Sequence, residues 1–156
     1  MPKLYLGLGS NLGDRKKNIT DASMICAALV GTIEALSSLY ETEPWGFSSP
    51  NKFLNSVICL ETDKDPELCL ALVKGIEREM GRVYFCNNEY EDRIIDIDIL
   101  LYDDLILQTE TLTIPHPRME KRDFVLRPLA EIAPELKHPV SRESVEELLH
   151  QLLLSE

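Results

Sequence analysis

The sequence predicts an α+β fold, an antiparallel sheet with helices packed on it, from three observations. Strand-like and helix-like periodicities alternate along the chain in the order β-α-β-β-α-β. Within the stretch Ile94 to Leu101, apolar and acidic residues alternate from Ile95 to Ile99, as in a half-buried strand, which puts Ile95, Ile97, Ile99 and Leu101 on one face. The 156 residues carry no repeat, linker or low-complexity segment, which argues for one domain, 1–156. That order is the ferredoxin-like double split βαβ arrangement, with helices expected on one face and a C-terminal extension beyond it.

Each element has its own warrant. Leu4 to Leu8 reads as a buried first strand and Gly9 to Asp14 as a turn. Ile19, Ala22, Ile25, Cys26 and Leu29 recur at helical spacing, and Gly31 supplies the stop. Thr32 to Glu41 is strand-like, and Thr42 to Pro50 is a loop by its Pro, Gly and Ser. Phe53 to Thr62 is the third strand. A second helix follows, capped by Asp65 with Pro66 at its first position, striped by Cys69, Leu72, Val73, Ile76 and Met80, and ended by Gly81. Arg82 to Arg93 is a long polar loop, of a length usually functional or mobile. Beyond the Asp96/Asp98 strand, Asp103-Asp104 is a turn and Leu105 to Leu107 a short return strand. Leu112 to Pro117 is extended. Arg122 to Ile132 is a short helix, and the last helix is capped by Ser141 or by Ser144 with Glu147.

Composition excludes several classes. A net charge of −11 and a pI near 4.7 disfavour non-specific binding to nucleic acid or anionic membranes, since both reward basic surface. No apolar run approaches the ~20 residues of a membrane span. The first residues are too short and too early for an export signal, so the expected location is cytoplasmic. Cys26, Cys59, Cys69 and Cys86 share no metal-ligand spacing; the first three read as core thiols.

The chemistry-bearing candidates start with Asp96 and Asp98. Side chains alternate along a strand, so these carboxylates share one face roughly 6–7 Å apart. At an effective dielectric near 20 they repel by about 2.5 kcal/mol. Either the face is simply solvated, or the pair holds a divalent metal against a phosphate-bearing substrate. The glycines of Gly7-Leu-Gly9-Ser-Asn-Leu-Gly13 miss dinucleotide spacing, because Leu12 stands where the third glycine belongs, and no P-loop motif occurs anywhere. Glu77 borders the buried helical stripe, as a solvated boundary residue or as a brace for the site. Arg82, Arg93, His116 and Arg122 could place cationic donors around polyphosphate. Trp45, Phe53 and Asn55 could sandwich a flat heterocycle, or simply pack. His138 and His150 read as structural.

These residues fall into a recognisable pattern. The stretches Gly9 to Arg15, Tyr40 to Gly46, Phe53 to Asn55, Ile76-Glu77 with Gly81-Arg82-Val83, Arg93 to Leu100, Ile114 to Met119 and Arg122 to Pro128 occur in the order found in the 6-hydroxymethyl-7,8-dihydropterin pyrophosphokinase family, which the chain resembles over essentially its whole length. The Arg-x-x-Asp-x-Asp-x-x-Leu and Pro-His-Pro-x-Met runs are the most specific. The resemblance implies pyrophosphoryl transfer from ATP to a pterin hydroxymethyl group in folate biosynthesis, with AMP released. It implies two Mg²⁺ on Asp96 and Asp98, and ATP contacts from Arg82, Arg93, Ile99, Thr113, His116 and Arg122. It implies a pterin pocket of Gly9, Ser10, Thr42, Pro44, Trp45, Phe53, Asn55 and Phe124, with Glu77 in support. Arg82 and Arg93 join the aspartates as the expected catalytic set, and the expected state is a monomer.

One region departs from that pattern. Tyr84 stands where an arginine is usual, and Glu89-Tyr90-Glu91-Asp92 where Arg-Trp-Gly-Pro is usual. Two phosphate-facing cations are absent and three acids are near. The alternative reading is therefore a catalytically weakened pterin- and ATP-binding protein of the same fold, owing to its acidic loop 84–92. A third is a regulatory or interaction domain whose carboxylates are merely solvated. Active-enzyme behaviour further implies that loop 84–92 closes when both substrates bind.

Overall fold

A computed structural model describes residues 1–81 and 92–155, and the following holds for those residues. Strands β1 (Lys3–Ser10), β2 (Thr32–Leu36), β3 (Tyr40–Thr42), β4 (Phe53–Glu61) and β5 (Asp96–Tyr102) form one antiparallel sheet. Its order is β2-β4-β1-β5, with β3 continuing beside β4 beyond the end of β2. Helix α1 (Arg15–Leu29) follows β1 and α2 (Pro66–Glu79) follows β4. The two-residue strands β6 (Leu107–Gln108) and β7 (Thr113–Ile114) pair with each other. A 3₁₀ turn (Met119–Lys121), α3 (Asp123–Ile132) and α4 (Val145–Leu154) complete the chain.

The helix starts are chemically specified. The Asp14 side chain accepts the Lys17 N–H, and Asp65 accepts that of Leu68 (2.8 Å). Ser144, rather than Ser141, caps α4, in a reciprocal pair with Glu147. Each such cap is worth about 1 kcal/mol. Gly31 ends α1 where the chain passes against β4: a β-carbon there would collide with the Glu61 carbonyl oxygen.

Two cores flank the sheet. Leu4, Leu6 and Leu8 of β1 point to one face with Ile95, Ile97 and Ile99, beneath Ile19 and Cys26 of α1 and Val73 and Ile76 of α2. Tyr5, Val57 and Cys59 point to the other, beneath Val125, Leu126 and Leu129 of α3 and Val145 and Leu148 of α4. Helices thus cover both faces, not one, because the C-terminal extension packs on the side that the βαββαβ unit leaves bare. His138 pins that extension. Its Nδ1 accepts from the Val140 and Ser141 amides, and its Nε2 lies 3.1 Å from Glu120 of the 3₁₀ turn. Cys26, Cys59 and Cys69 are free and buried.

Three sequence expectations need adjustment. The segment 32–41 is not one strand. Ser37 interrupts it, and its hydroxyl, not a backbone carbonyl, accepts the Val57 N–H at 2.9 Å. Leu105 to Leu107 does not return along β5, since only Leu107 enters a strand and it faces β7. Leu101 does not share the face of Ile99. A bulge pairs Tyr5 with Leu101 but Leu6 with Ile99, so Leu100 and Leu101 both enter the second core. Arg82, Tyr84, Cys86, Glu89, Tyr90 and Glu91 lie outside the described residues, and with them most of the loop on which closure was expected.

The collision at Gly31 predicts that Gly31→Ala lowers stability by about 1–3 kcal/mol, as overpacking against fixed backbone does. A urea midpoint that falls at unchanged slope is the expected result.

Candidate active site

The register of β1 against its neighbours builds the floor of a cleft. Asp96 of β5 faces Gly9 and Asp98 faces Gly7, while Gly9 also faces Asn55 of β4. Directly opposed residues share a face of the sheet. Both carboxylates therefore look across glycines, which leave open space where a side chain would stand. A β-carbon on Gly9 would come within 3.2 Å of Asn55 Oδ1 and 3.6 Å of the Phe53 ring. The cleft is lined by the Gly7, Gly9, Asp96 and Asp98 floor and by walls that include Thr42, Trp45, Phe53, Asn55, Arg93, Arg122 and Phe124.

One wall is aromatic. The Phe53 and Phe47 rings meet edge to face, centroids 6.1 Å apart. Arg122 reaches in from the residue before α3, with its guanidinium 4.5 Å from the Trp45 ring and 5.4 Å from that of Phe124. Asn55 is 5% exposed and donates to Thr42 Oγ1 (2.7 Å) and the Tyr40 carbonyl (3.3 Å), which fixes its amide within the cleft.

The other wall is ionic. Arg122 Nη1 lies 3.7 Å from Asp98, and Arg93 Nη2 3.6 Å from Asp96. Arg93 also sits over the Phe53 ring at 4.9 Å, so it borders both walls. Burial raises the Asp98 carboxyl to about 7, and the neighbouring Asp96 charge adds to this. The same burial pulls the Arg122 guanidinium down, against the attraction of Asp98 and Asp96. Arg122 Nε is buried without a hydrogen-bond partner. Such an orphaned donor costs about 1–3 kcal/mol unless a ligand oxygen engages it.

Two residues outside the lining shape this wall. Glu77 is fully buried on α2, and its Oε2 accepts the Ile97 N–H at 2.7 Å. Since β5 is an edge strand, Glu77 braces the peptide between the two aspartates from the side where no further strand lies. Lys74 balances its other oxygen at 3.2 Å. His116 brings Nε2 to 4.0 Å from Asp98, and its Nδ1 accepts the Arg118 N–H, which leaves the proton on Nε2. Burial, then the Arg122 charge, lower its pKa to about 4, so at neutral pH His116 is a neutral donor and not the cation the sequence suggested.

Not every expected residue reaches the cleft. Ser10 points to the other face of β1, where its hydroxyl receives the Asn18 amide at 3.3 Å and is fully buried. The Ile99 side chain belongs to the first core, and Thr113 lies on β7. Pro44 lies between Glu43 and Trp45, which do line the cleft. Arg82 falls outside the described residues. Sequence reasoning missed Gly7, although Gly7-x-Gly9 has the same period of two as Asp96-x-Asp98. It also missed Asn11, whose side chain donates to Asp92 Oδ1 (2.7 Å) and accepts the Arg93 N–H (2.7 Å).

The donor set suits magnesium. Among the described residues no three His, Cys, Asp or Glu side chains converge as a closed metal cage. Magnesium takes one or two carboxylates and completes its shell with substrate phosphates and water, which two carboxylates beside arginines allow. The raised Asp98 carboxyl is a group that a divalent cation would draw back to its ionised form.

Comparison with known proteins identifies the family. The family model described as 7,8-dihydro-6-hydroxymethylpterin-pyrophosphokinase (HPPK) matches residues 5–134. The chain is 48% identical over 141 residues to the 2-amino-4-hydroxy-6-hydroxymethyldihydropteridine pyrophosphokinase of Porphyromonas gingivalis, covering 89% of this chain and 95% of that one. It is 42% identical over 147 residues to the protein of the same name from Aquifex aeolicus, covering 94% and 90%. Folic acid synthesis protein fol1 of Schizosaccharomyces pombe is 40% identical over 95% of this chain, which spans 20% of that longer protein. Among solved structures, an HPPK-DHPS in complex with substrates superposes with a TM-score of 0.81 over 99% of this chain and 44% of its own. Plasmodium falciparum HPPK-DHPS with pteroate superposes at 0.74 over 96% and 42%. At 16% and 19% identity these two speak for the fold alone. The chain belongs to the 7,8-dihydro-6-hydroxymethylpterin-pyrophosphokinase family.

Proposed function

We infer that the cleft over Gly7 and Gly9 is where this chain transfers pyrophosphate from ATP to the hydroxymethyl group of 6-hydroxymethyl-7,8-dihydropterin, a step of folate biosynthesis. The observation that carries this reading is one cleft with a carboxylate–arginine wall beside an aromatic wall. The first suits a metal-bound triphosphate, the second a flat heterocycle whose polar edge Asn55 reads.

The residue roles follow from that arrangement. Asp96 and Asp98 would hold two Mg²⁺, which would neutralise the phosphates and activate the attacking oxygen. Phe53 and Phe124 stack on the pterin, with Thr42, Pro44, Trp45 and Gly9 around it. Arg93, Arg122 and the neutral His116 donate to phosphate oxygens, and Glu77 keeps the Asp96–Asp98 peptide rigid. Arg82, Ile99 and Thr113 complete the nucleotide contacts in this scheme. The pterin hydroxymethyl oxygen attacks the β-phosphorus, the bond to the α–β bridging oxygen breaks, and AMP leaves. Little covalent chemistry falls to the protein; its contribution is alignment and charge stabilisation.

Incubation with ATP, Mg²⁺ and the hydroxymethyl pterin is expected to yield AMP. Asp96→Ala and Asp98→Ala should each lower kcat at least about a hundredfold, as loss of transition-state charge stabilisation does. No AMP from the wild type at high protein concentration would favour the weakened binder. ATP affinity indifferent to Mg²⁺ and to Asp98→Ala would remove the metal roles. Arg122→Lys keeps the charge but loses the guanidinium's contacts with the Trp45 and Phe124 rings, worth about 1–2 kcal/mol. Its kcat/KM is therefore expected to fall about tenfold in the same AMP assay.

A further inference from the structure

We propose that Asp92 is a positioning residue for this reaction, a carboxylate latch that ties the turn after β1 to the loop before β4 and so seats Arg93 between the two walls of the cleft. The proposal rests on the transfer reading above and extends it to a residue that touches neither substrate. Asp92 accepts from two asparagines that are distant in sequence, Asn11 Nδ2 at 2.7 Å on Oδ1 and Asn51 Nδ2 at 3.0 Å on Oδ2. Asn11 Nδ2 also donates to the Asn51 carbonyl at 3.2 Å, closing the triangle. Asn11 is 4% exposed, so these bonds satisfy a buried amide.

The triangle continues directly into Arg93. The Arg93 N–H donates to Asn11 Oδ1 at 2.7 Å, and the Asn11 N–H donates to the Arg93 carbonyl at 3.1 Å. Arg93 is thus clamped to the turn by its backbone on both sides, while its guanidinium borders Phe53 and Asp96. Burial works to raise the Asp92 carboxyl, but the hydrogen bonds from Ser49, Asn11 and Asn51, with the Arg93 charge, hold it below the usual range. It is a full anion at neutral pH, and bonds to an anion are the strong ones. The last acid of the stretch that departs from the family pattern is therefore engaged by amides on both oxygens. Its work is to join the loop that carries Trp45 to the strand that carries the aspartates.

A donor–acceptor swap tests the latch in the full-length chain. Asp92→Asn sets an amide against the Asn51 amide, while Asp92→Asn with Asn51→Asp restores one donor and one acceptor across the pair. Pterin affinity is measured by fluorescence titration in the presence of Mg²⁺ and a non-hydrolysable ATP analogue, and kcat and KM by AMP release. The single variant is expected to bind pterin about tenfold more weakly and to lose kcat/KM to the same extent, as a small misplacement does. The double variant should recover most of both. Wild-type affinity in the single variant, or a double variant as impaired as the single, overturns the latch. Absence of AMP from the wild type together with intact pterin binding overturns the transfer reading and leaves the affinity arm to decide the latch.

Discussion

Strand β5 can satisfy its side chains in only one register, and the cleft depends on that. Burying Ile95, Ile97 and Ile99 on one face is worth roughly 5–9 kcal/mol, against the roughly 2.5 kcal/mol by which Asp96 and Asp98 repel each other. A slip of one residue would bury both carboxylates and expose all three isoleucines. The hydrophobic face thus forces two like charges to stand side by side on the other, where Gly7 and Gly9 leave them room. The site's electrostatic tension is a by-product of the core's demand for a fixed register.

That tension is distributed rather than removed. Asp98 keeps a raised carboxyl despite Arg122 at 3.7 Å, because burial and Asp96 together outweigh the guanidinium. Arg122 in turn lies close to two rings, a setting a planar cation tolerates better than an ammonium does. His116 is driven neutral by burial and by Arg122. Each group is held away from its preferred state in water by its neighbours. A metal-bound triphosphate would add positive charge beside the aspartates and offer an acceptor to the buried Arg122 Nε, which makes complementarity to such a ligand an economical reading of the whole cluster.

Much of this is legible in the order of residues alone. The period of two in β5, the caps at Asp65 and Ser144, and the glycine stops are local signals, and local signals survived. What failed were inferences that depended on partners. Periodicity alone puts Leu101 on the face of Ile99, whereas the bulge depends on what β1 offers opposite, and a run as short as Leu105 to Leu107 cannot declare its partner. Ser37 was hidden inside a strand pattern because a side-chain acceptor can replace a backbone one without altering periodicity. The neutrality of His116 is invisible in the sequence because its charge is decided by burial and by Arg122, six residues away. Asp92 looked like one more acid facing phosphate. Only the fold brings Asn11 and Asn51 to it, across 81 and 41 residues of chain.

The C-terminal extension belongs to the site as much as the βαββαβ unit does. That unit alone supplies the carboxylates, the glycine floor, Phe53 and Asn55, but on a sheet face with no helices of its own. Arg122 and Phe124 arrive only because α3 packs Val125, Leu126 and Leu129 onto that bare face. The packing sets where the helix begins, and its first residues are the ones that reach the cleft. His138 then ties the loop before α4 to the 3₁₀ turn that leads into Arg122. Each wall of the cleft therefore draws on both means of support, the strand register that places the aspartates and Phe53, and the helix docking that brings Arg122 and Phe124. Any ligand that spans both walls must engage side chains from the sheet and from the C-terminal extension together.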